Sequence, residues 1–315
     1  MRLDKQAGIT SHDAVDRLRR VVGSRRVGHA GTLDPFATGL LLLAWGRATR
    51  LLPFLSAAAK TYEAVMRLGV VTDTGDPTGR VIAESAPAQG AFDPAAIEAA
   101  AQGFRGAITQ RAPAYSAVKQ GGEALYKKAR RGEAVEPPVR TVTVHALTIG
   151  AIDAQAGTIG FSVTCSSGTY VRSLAADLGK ALGPGGSLLA LRRSAIGPHG
   201  VQGAVPTGDL LDRPVGSIPE WNERLSEAGL TPEQALAFLP AFALDRSEAA
   251  RLAQGQGPVA GDLRHAGLPD ETPLLRLTDE DGALLAVAEG AGESPDGRPL
   301  ELRMVWAAAE AAAQR

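Results

Sequence analysis

The sequence predicts a mixed α/β protein built in two parts, and three observations carry this expectation. Over the first two hundred of 315 residues, stretches of period-two apolar alternation stand between stretches of helical periodicity. Residues 204–220 are rich in Pro, Gly and Asp and read as a connecting loop. Beyond residue 244 a helix precedes several short strands, the pattern of a smaller second unit. A chain of this length holds one large domain and one small one, and the expected division is 1–240 and 241–315.

The first element is a helix. Thr10, Ser11 and Asp13 open it, Val15, Leu18, Val21 and Val22 recur at helical spacing, and Gly23 closes it. Its polar side carries Arg17, Arg19 and Arg20, and Arg25 and Arg26 follow. Such a cluster reads either as a basic patch or as an ordinary solvated face. Residues 28–40 then read Gly-His-Ala-Gly-Thr-Leu-Asp-Pro-Phe-Ala-Thr-Gly-Leu and place one acid, Asp34, between glycine turns, with Pro35 fixing the backbone after it. The apolar run 40–45 anchors this loop. A carboxylate held in a rigid loop is a candidate nucleophile or base, although a turn whose Asp bonds its own backbone fits the same spacing.

In residues 60–69, Tyr62, Ala64, Met66 and Leu68 alternate with polar positions, the period of a half-buried strand. Residues 72–80 resemble a calcium loop only in composition, since the ligand spacing and terminal glutamate are missing, and they read as a tight turn. Asp93 and Pro94 start a scaffold helix with Ile97 and Ala101 inward and Gly103 at its end. Residues 111–131 form a loop and a helix in which Lys119, Lys127, Lys128, Arg130 and Arg131 mix with Tyr115 and Tyr126, a composition suited to phosphate neutralisation and base stacking.

Residues 141–149 and 158–165 read as neighbouring strands, with Cys165 a buried strand residue. Residues 166–174 lead into a helix ending near Gly183, with Tyr170 and Arg172 at its start. Ser187 is expected to cap a short helix carrying Leu191, Arg192 and Arg193. In the second unit Asp245 caps a helix, strands are expected over 272–277, 283–289 and 299–306, and Asp281-Gly282 signals a hairpin. Gly255-x-Gly257-x-x-Ala260 is a chance dinucleotide match, because it follows a helix rather than a strand.

Composition narrows the function classes. One cysteine excludes an internal disulfide and a cysteine-based zinc cluster, the five histidines lack ligand spacing, and neither a metal nor a cofactor is expected. The longest apolar run is too short to cross a bilayer and no signal segment is visible, so a cytoplasmic address is expected. The formal charge of −1 hides an asymmetry: residues 1–200 hold 24 Lys and Arg against 15 Asp and Glu, whereas residues 201–315 hold 9 against 19. Positive charge around the acid-bearing loop suits a protein that grips a phosphate backbone.

The loop at 28–40 resembles the signature of the bacterial tRNA pseudouridine-55 synthases, the TruB family, in which Gly-His-x-Gly-x-Leu-Asp-Pro-x-Ala-x-Gly carries the catalytic aspartate. Segments 3–11, 60–64, 72–80, 112–131, 167–174 and 191–193 resemble family segments in family order. Gln6 stands where the family usually has proline, and Ala30 where many members have threonine. The resemblance implies a pseudouridine-synthase fold, with a central mixed, largely antiparallel sheet flanked by helices and a small C-terminal PUA-like β-rich domain. It implies an isomerase acting on the T-stem-loop of tRNA, working as a monomer without a protein partner. Asp34 then becomes the catalytic residue. Tyr62 and Leu191 line the uracil pocket, His29 fills the space the flipped uridine leaves, Asp76 orients substrate, Tyr170 contacts it, and Arg172 pairs with Asp34. Residues 112–131 become a mobile insertion that closes over RNA.

Pseudouridine formation breaks the bond between ribose C1′ and uracil N1 and rejoins the base through C5, with no redox change. One ionised carboxylate serves either by attacking C1′ or by removing the 2′ proton, and the base must leave the stack to meet it. An RNA-binding or RNA-folding factor and a nucleosidase are the competing classes. The nucleosidase predicts free uracil and a second acid as proton donor.

Overall fold

The computed structural model describes residues 1–116, 118–133, 135–211, 228–254, 256, 274–289 and 301–306. Two compact units are present: Met1–Gly46 with Leu55–Ala228, and Arg47–Phe54 with Gly229–Arg315. In chain order the first unit runs β1 (Arg2–Lys5), α1 (Ser11–Val22), β2 (Val27–His29) and β3 (Thr38–Trp45). After α2 (Leu52–Ala57), whose residues are divided between the two units, come β4 (Lys60–Leu68), the hairpin β5 (Val70–Thr72) and β6 (Val81–Glu84), α3 (Pro94–Gln102) and β7 (Gly106–Arg111). The short pair β8 (Lys119–Gln120) and β9 (Glu123–Ala124) leads into α4 (Leu125–Arg130). Then follow β10 (Val139–Asp153), β11 (Thr158–Cys165), α5 (Val171–Ala181), β12 (Gly186–Ile196), β13 (His199–Gly200), β14 (Val205–Pro206) and α6 (Thr207–Leu211).

Ten of these strands make one sheet, ordered β14-β1-β3-β12-β4-β11-β10-β7, with β2 on β3 and β13 on β12. Only β1 with β14 and β12 with β3 pair in parallel, so the sheet is mixed and largely antiparallel, as expected. Alternation in β4 buries Tyr62, Ala64, Met66 and Leu68 on one face, where they pack with Phe161 and Val163 of β11 and with Val171, Leu174 and Leu178 of α5. A second core joins Leu3, Leu41 and Leu43 to Val15, Leu18 and Val21 of α1. That helix starts where the sequence signals it, through a reciprocal cap in which Thr10 Oγ1 accepts from Asp13 N–H at 3.0 Å and Asp13 Oδ2 from Thr10 N–H at 2.7 Å.

The segment after Ser187 corrects the sequence expectation. It is no capped helix: residues 186–196 form β12, a central strand antiparallel to β4 and parallel to β3. Leu, Ala and Arg favour helix locally, but hydrogen bonding on both edges outweighs a preference of a few tenths of a kcal/mol per residue. Ser187 instead donates its hydroxyl to Val70 O at 2.9 Å.

In the second unit, a four-stranded sheet runs Ala241–Ala243, Leu274–Thr278, Leu284–Glu289, Glu301–Val305. The helix Arg246–Ala253 has the Asp245 cap, reciprocated by Glu248. The Gly255 to Ala260 fragment lies outside the described residues, apart from Gln256. Among the described residues no helix is long and apolar enough to cross a membrane.

Candidate active site

The acid-bearing loop joins β2 to β3 and is pinned on both sides of Asp34. Ahead of the acid, the Ser11 hydroxyl accepts from Leu33 N–H at 2.8 Å and donates to Leu33 O at 3.2 Å. Behind it, Pro35 O accepts from Gly8 N–H at 2.8 Å and from Lys5 Nζ at 3.3 Å. The loop also turns on itself, with Ala37 N–H donating to Asp34 O at 3.1 Å. Gly39, at φ +100°, leaves no room for a side chain, since a Cβ there would lie 2.2 Å from Arg193 O. A carboxylate on so constrained a backbone has its position set before a ligand arrives.

Arg172, buried in the first turn of α5, grips that carboxylate. Its Nε donates to Asp34 Oδ2 at 2.8 Å and its Nη2 to Asp34 Oδ1 at 3.2 Å, a two-point fork that fixes the plane of the acid. Further donation goes to Thr74 O at 2.7 Å and Tyr115 O at 2.9 Å. Burial pushes the Asp34 carboxyl above its ordinary value, Arg172 pulls it down, and nearby Asp76 adds to the rise. Burial is the largest of these effects, although one third of the acid's side-chain surface is still open.

The other sequence-named residues take distinct places. Tyr62 and Leu191 share one buried cluster with Leu33 and Ala37, the residues that flank Asp34. Burial raises the Tyr62 phenol, and Arg193 opposes that rise. Asp76 serves its own turn, where Oδ1 accepts from Thr74 Oγ1 at 2.8 Å, Thr78 N–H at 3.0 Å and Thr78 Oγ1 at 2.5 Å. Its second oxygen stands 3.7 Å from Arg172 Nη1, so Asp76 also supplies charge to the clamp. Tyr170 occupies the position just before α5 and lies under Arg140, whose guanidinium carbon is 5.5 Å from the ring centre. The buried Nδ1 of His29 has no hydrogen-bond partner, and burial holds the imidazole below its ordinary value, which favours the neutral form.

Four residues missed at the sequence level hold this arrangement. Buried Gln110 clamps the chain entering α5, accepting from Tyr170 N–H at 2.7 Å and donating to Tyr170 O at 3.0 Å. Buried Lys5 donates to Gln6 O and Ile9 O at 2.8 Å each, and Lys60 to Ser56 O and to Ala58 O. Burial pulls both ammonium groups down to about 8. Arg193 is the fourth. A lysine or arginine at an otherwise apolar strand position was the only available signal. Among the described residues no His, Cys, Asp and Glu side chains gather as a metal site.

A cavity of about 890 Å³ opens beside the loop, its walls including Pro35 and Phe36 after the acid, Pro77 and Thr78 of the Asp76 turn, and Phe161 and Leu191 of the sheet. Asp34, Tyr62 and Arg172 are not themselves part of that lining. The volume suits a nucleotide-sized ligand.

Fold and site together define an enzyme-like centre organised on one clamped carboxylate, carried by a loop between two strands of a mixed sheet. The same fold occurs in a solved structure described as "Crystal Structure of a Cbf5-Nop10-Gar1 Complex", with a TM-score of 0.73 at 24% identity over 99% of this chain and 86% of that one. It also occurs in "Structure of H/ACA RNP bound to a substrate RNA containing 2'-deoxyuridine", with a TM-score of 0.71 at 23% identity over 98% and 85%. Residues 19–171 match the family model described as TruB family pseudouridylate synthase (N terminal domain). The tRNA pseudouridine synthase B of Cupriavidus metallidurans is 42% identical over 288 residues, 91% of this chain and 88% of that protein. Its counterpart in Thermobifida fusca is 42% identical over 295 residues, 91% and 92% of the two chains. The chain belongs to the TruB family, and it is a pseudouridine synthase, an isomerase.

Proposed function

We propose that this enzyme converts the uridine at position 55 of tRNA, in the T-loop, to pseudouridine, with Asp34 as the catalytic carboxylate and the target base flipped out of the stack. The observation that carries this reading is the fork of buried Arg172 on Asp34, in a loop pinned before and after the acid. Relatives named for a tRNA activity support the substrate class.

The ionised carboxylate either attacks C1′ or takes the 2′ proton as the C1′–N1 bond breaks. The freed uracil turns, C5 bonds to C1′ as the carboxylate leaves that carbon or, on the second route, returns the proton to C2′, and the proton on C5 is lost while N1 gains one, so atoms and electrons balance without an oxidant. Tyr62 and Leu191 hold the base between them, Arg172 keeps the acid in plane, and Asp76 and Tyr170 steady the clamp. His29, neutral, occupies the place the uridine leaves. Unstacking costs a few kcal/mol, which phosphate contacts offset. The second unit acts as a PUA-like RNA-binding domain. The enzyme works in the cytoplasm as a monomer, without a cofactor or a protein partner.

The test is pseudouridine mapping in a transcribed tRNA. The parent should modify position 55 alone in the T-loop, and Asp34→Asn should bind the RNA yet form no product in a single turnover. Turnover by that variant within about tenfold of the parent removes the acid from catalysis, leaving an RNA-binding role for the loop. Release of free uracil by the parent makes it a nucleosidase.

A further inference from the structure

Arg193 is one of the largest side chains in the protein to be fully enclosed, at 1% exposure, and none of the described carboxylates forms an ion pair with it. Its partners are main-chain carbonyls from both arms of the acid-bearing loop: Nε donates to Leu40 O at 2.8 Å, Nη2 to Gly31 O at 3.0 Å and Nη1 to Thr32 O at 3.4 Å. The strand register sets it opposite two further groups of the site. On one side Arg193 pairs with Gly39, the close approach that excludes any Cβ, and on the other with Tyr62 of β4. Directly opposed residues on neighbouring antiparallel strands have Cβ atoms about 5 Å apart.

We infer that Arg193 is a positioning residue of the reaction: one buried guanidinium ties both arms of the Asp34 loop and, from the adjacent strand, sets the Tyr62 ring, so that acid and aromatic keep one fixed relation. The inference rests on the proposed placement of the chemistry at Asp34. A buried cation with no carboxylate partner is costly to keep for packing alone, since an apolar side chain of similar volume fills such space without desolvating charge. What the guanidinium supplies is a rigid planar fork reaching three carbonyls, which a lysine cannot span. Lys5, Lys60 and His29 all sense its charge, which places it among the buried basic groups around the loop.

The test uses the full-length protein carrying Arg193→Lys or Arg193→Met, with a transcribed T-stem-loop as substrate. A misplacement of about 1 Å between acid and sugar should lower the single-turnover rate about a hundredfold. RNA affinity should stay within about threefold of the parent, since only a step after binding is affected. In the free protein labelled with ¹³Cζ-tyrosine, the Tyr62 resonance, identified by its absence in Tyr62→Phe, should move in both variants. If Arg193→Met does not fold, Arg193→Lys decides. A parent-like rate in Arg193→Lys, a rate loss matched by an equal loss of affinity, or an unmoved Tyr62 resonance overturns the inference. Should the parent itself leave the RNA unmodified, the functional reading fails, and the Tyr62 resonance alone decides the role of Arg193.

Discussion

At Asp34 two effects of opposite sign meet, and on the proposed catalytic role their balance sets the working pH range. That role needs the carboxylate ionised, so the rate should rise as pH passes through its pKa. Burial moves that point above the ordinary 3.8, Arg172 and Lys5 oppose the shift, and Asp76 reinforces it. Removing the arginine withdraws the largest opposing effect, so in Arg172→Met the acid limb of the single-turnover rate should move to higher pH, with a lower plateau as the fork is lost. A limb that stays in place, measured on the same RNA, would show that the pair does not govern ionisation. Asp34 and Arg172 were legible in the sequence because glycines, proline and family spacing mark them. Gln110 and Arg193 were not, because their partners are main-chain atoms, which every residue has and no motif records.

Elements set the accuracy of the site more than any single contact does. The start of α5 carries Arg172, yet Tyr170 at the cap position makes no side-chain cap bond; Gln110 of β7 does that work through the backbone. Gln110→Ala should therefore act on Arg172 at a distance. Loss of two largely buried hydrogen bonds costs about 1–3 kcal/mol of stability, seen as a lower melting temperature, and the rate should fall while RNA affinity holds. Gln110→Glu keeps the acceptor and loses the donor, so it should lie between; a rate equal to the parent in both variants would leave Gln110 with a packing role only. The strands β4, β10 and β11 were legible from alternation because one face of each is buried. β12 was not, since its Leu-Leu-Ala-Leu-Arg-Arg run lacks both β-branched residues and alternation, and only its neighbours on either side make it a strand.

On the scale of the whole molecule, charge decides where RNA is gripped. With an excess of nine positive charges in residues 1–200 and of ten negative charges beyond, phosphate contacts should come mainly from the first unit. For about 6 to 10 such contacts, affinity should fall roughly a thousandfold or more between 50 and 200 mM salt. The structure sorts the basic residues of the 111–131 segment, which composition alone left as one group. Arg131 is held by Glu123 at 2.6 and 2.9 Å and by Glu133 at 2.5 Å, whereas Lys127 is exposed and appears in no described ion pair. Phosphate binding through Arg131 would first have to displace two carboxylates. Lys127→Gln with Lys128→Gln should accordingly make the plot of log affinity against log salt shallower by about 1 to 2, and Arg131→Gln should change it by less. The comparison needs only binding isotherms for one tRNA at four or five salt concentrations. A slope unchanged in the lysine pair but flattened in Arg131→Gln would mean that the ion-paired arginine opens to meet the phosphates, and that the two lysines of α4 face away from the RNA.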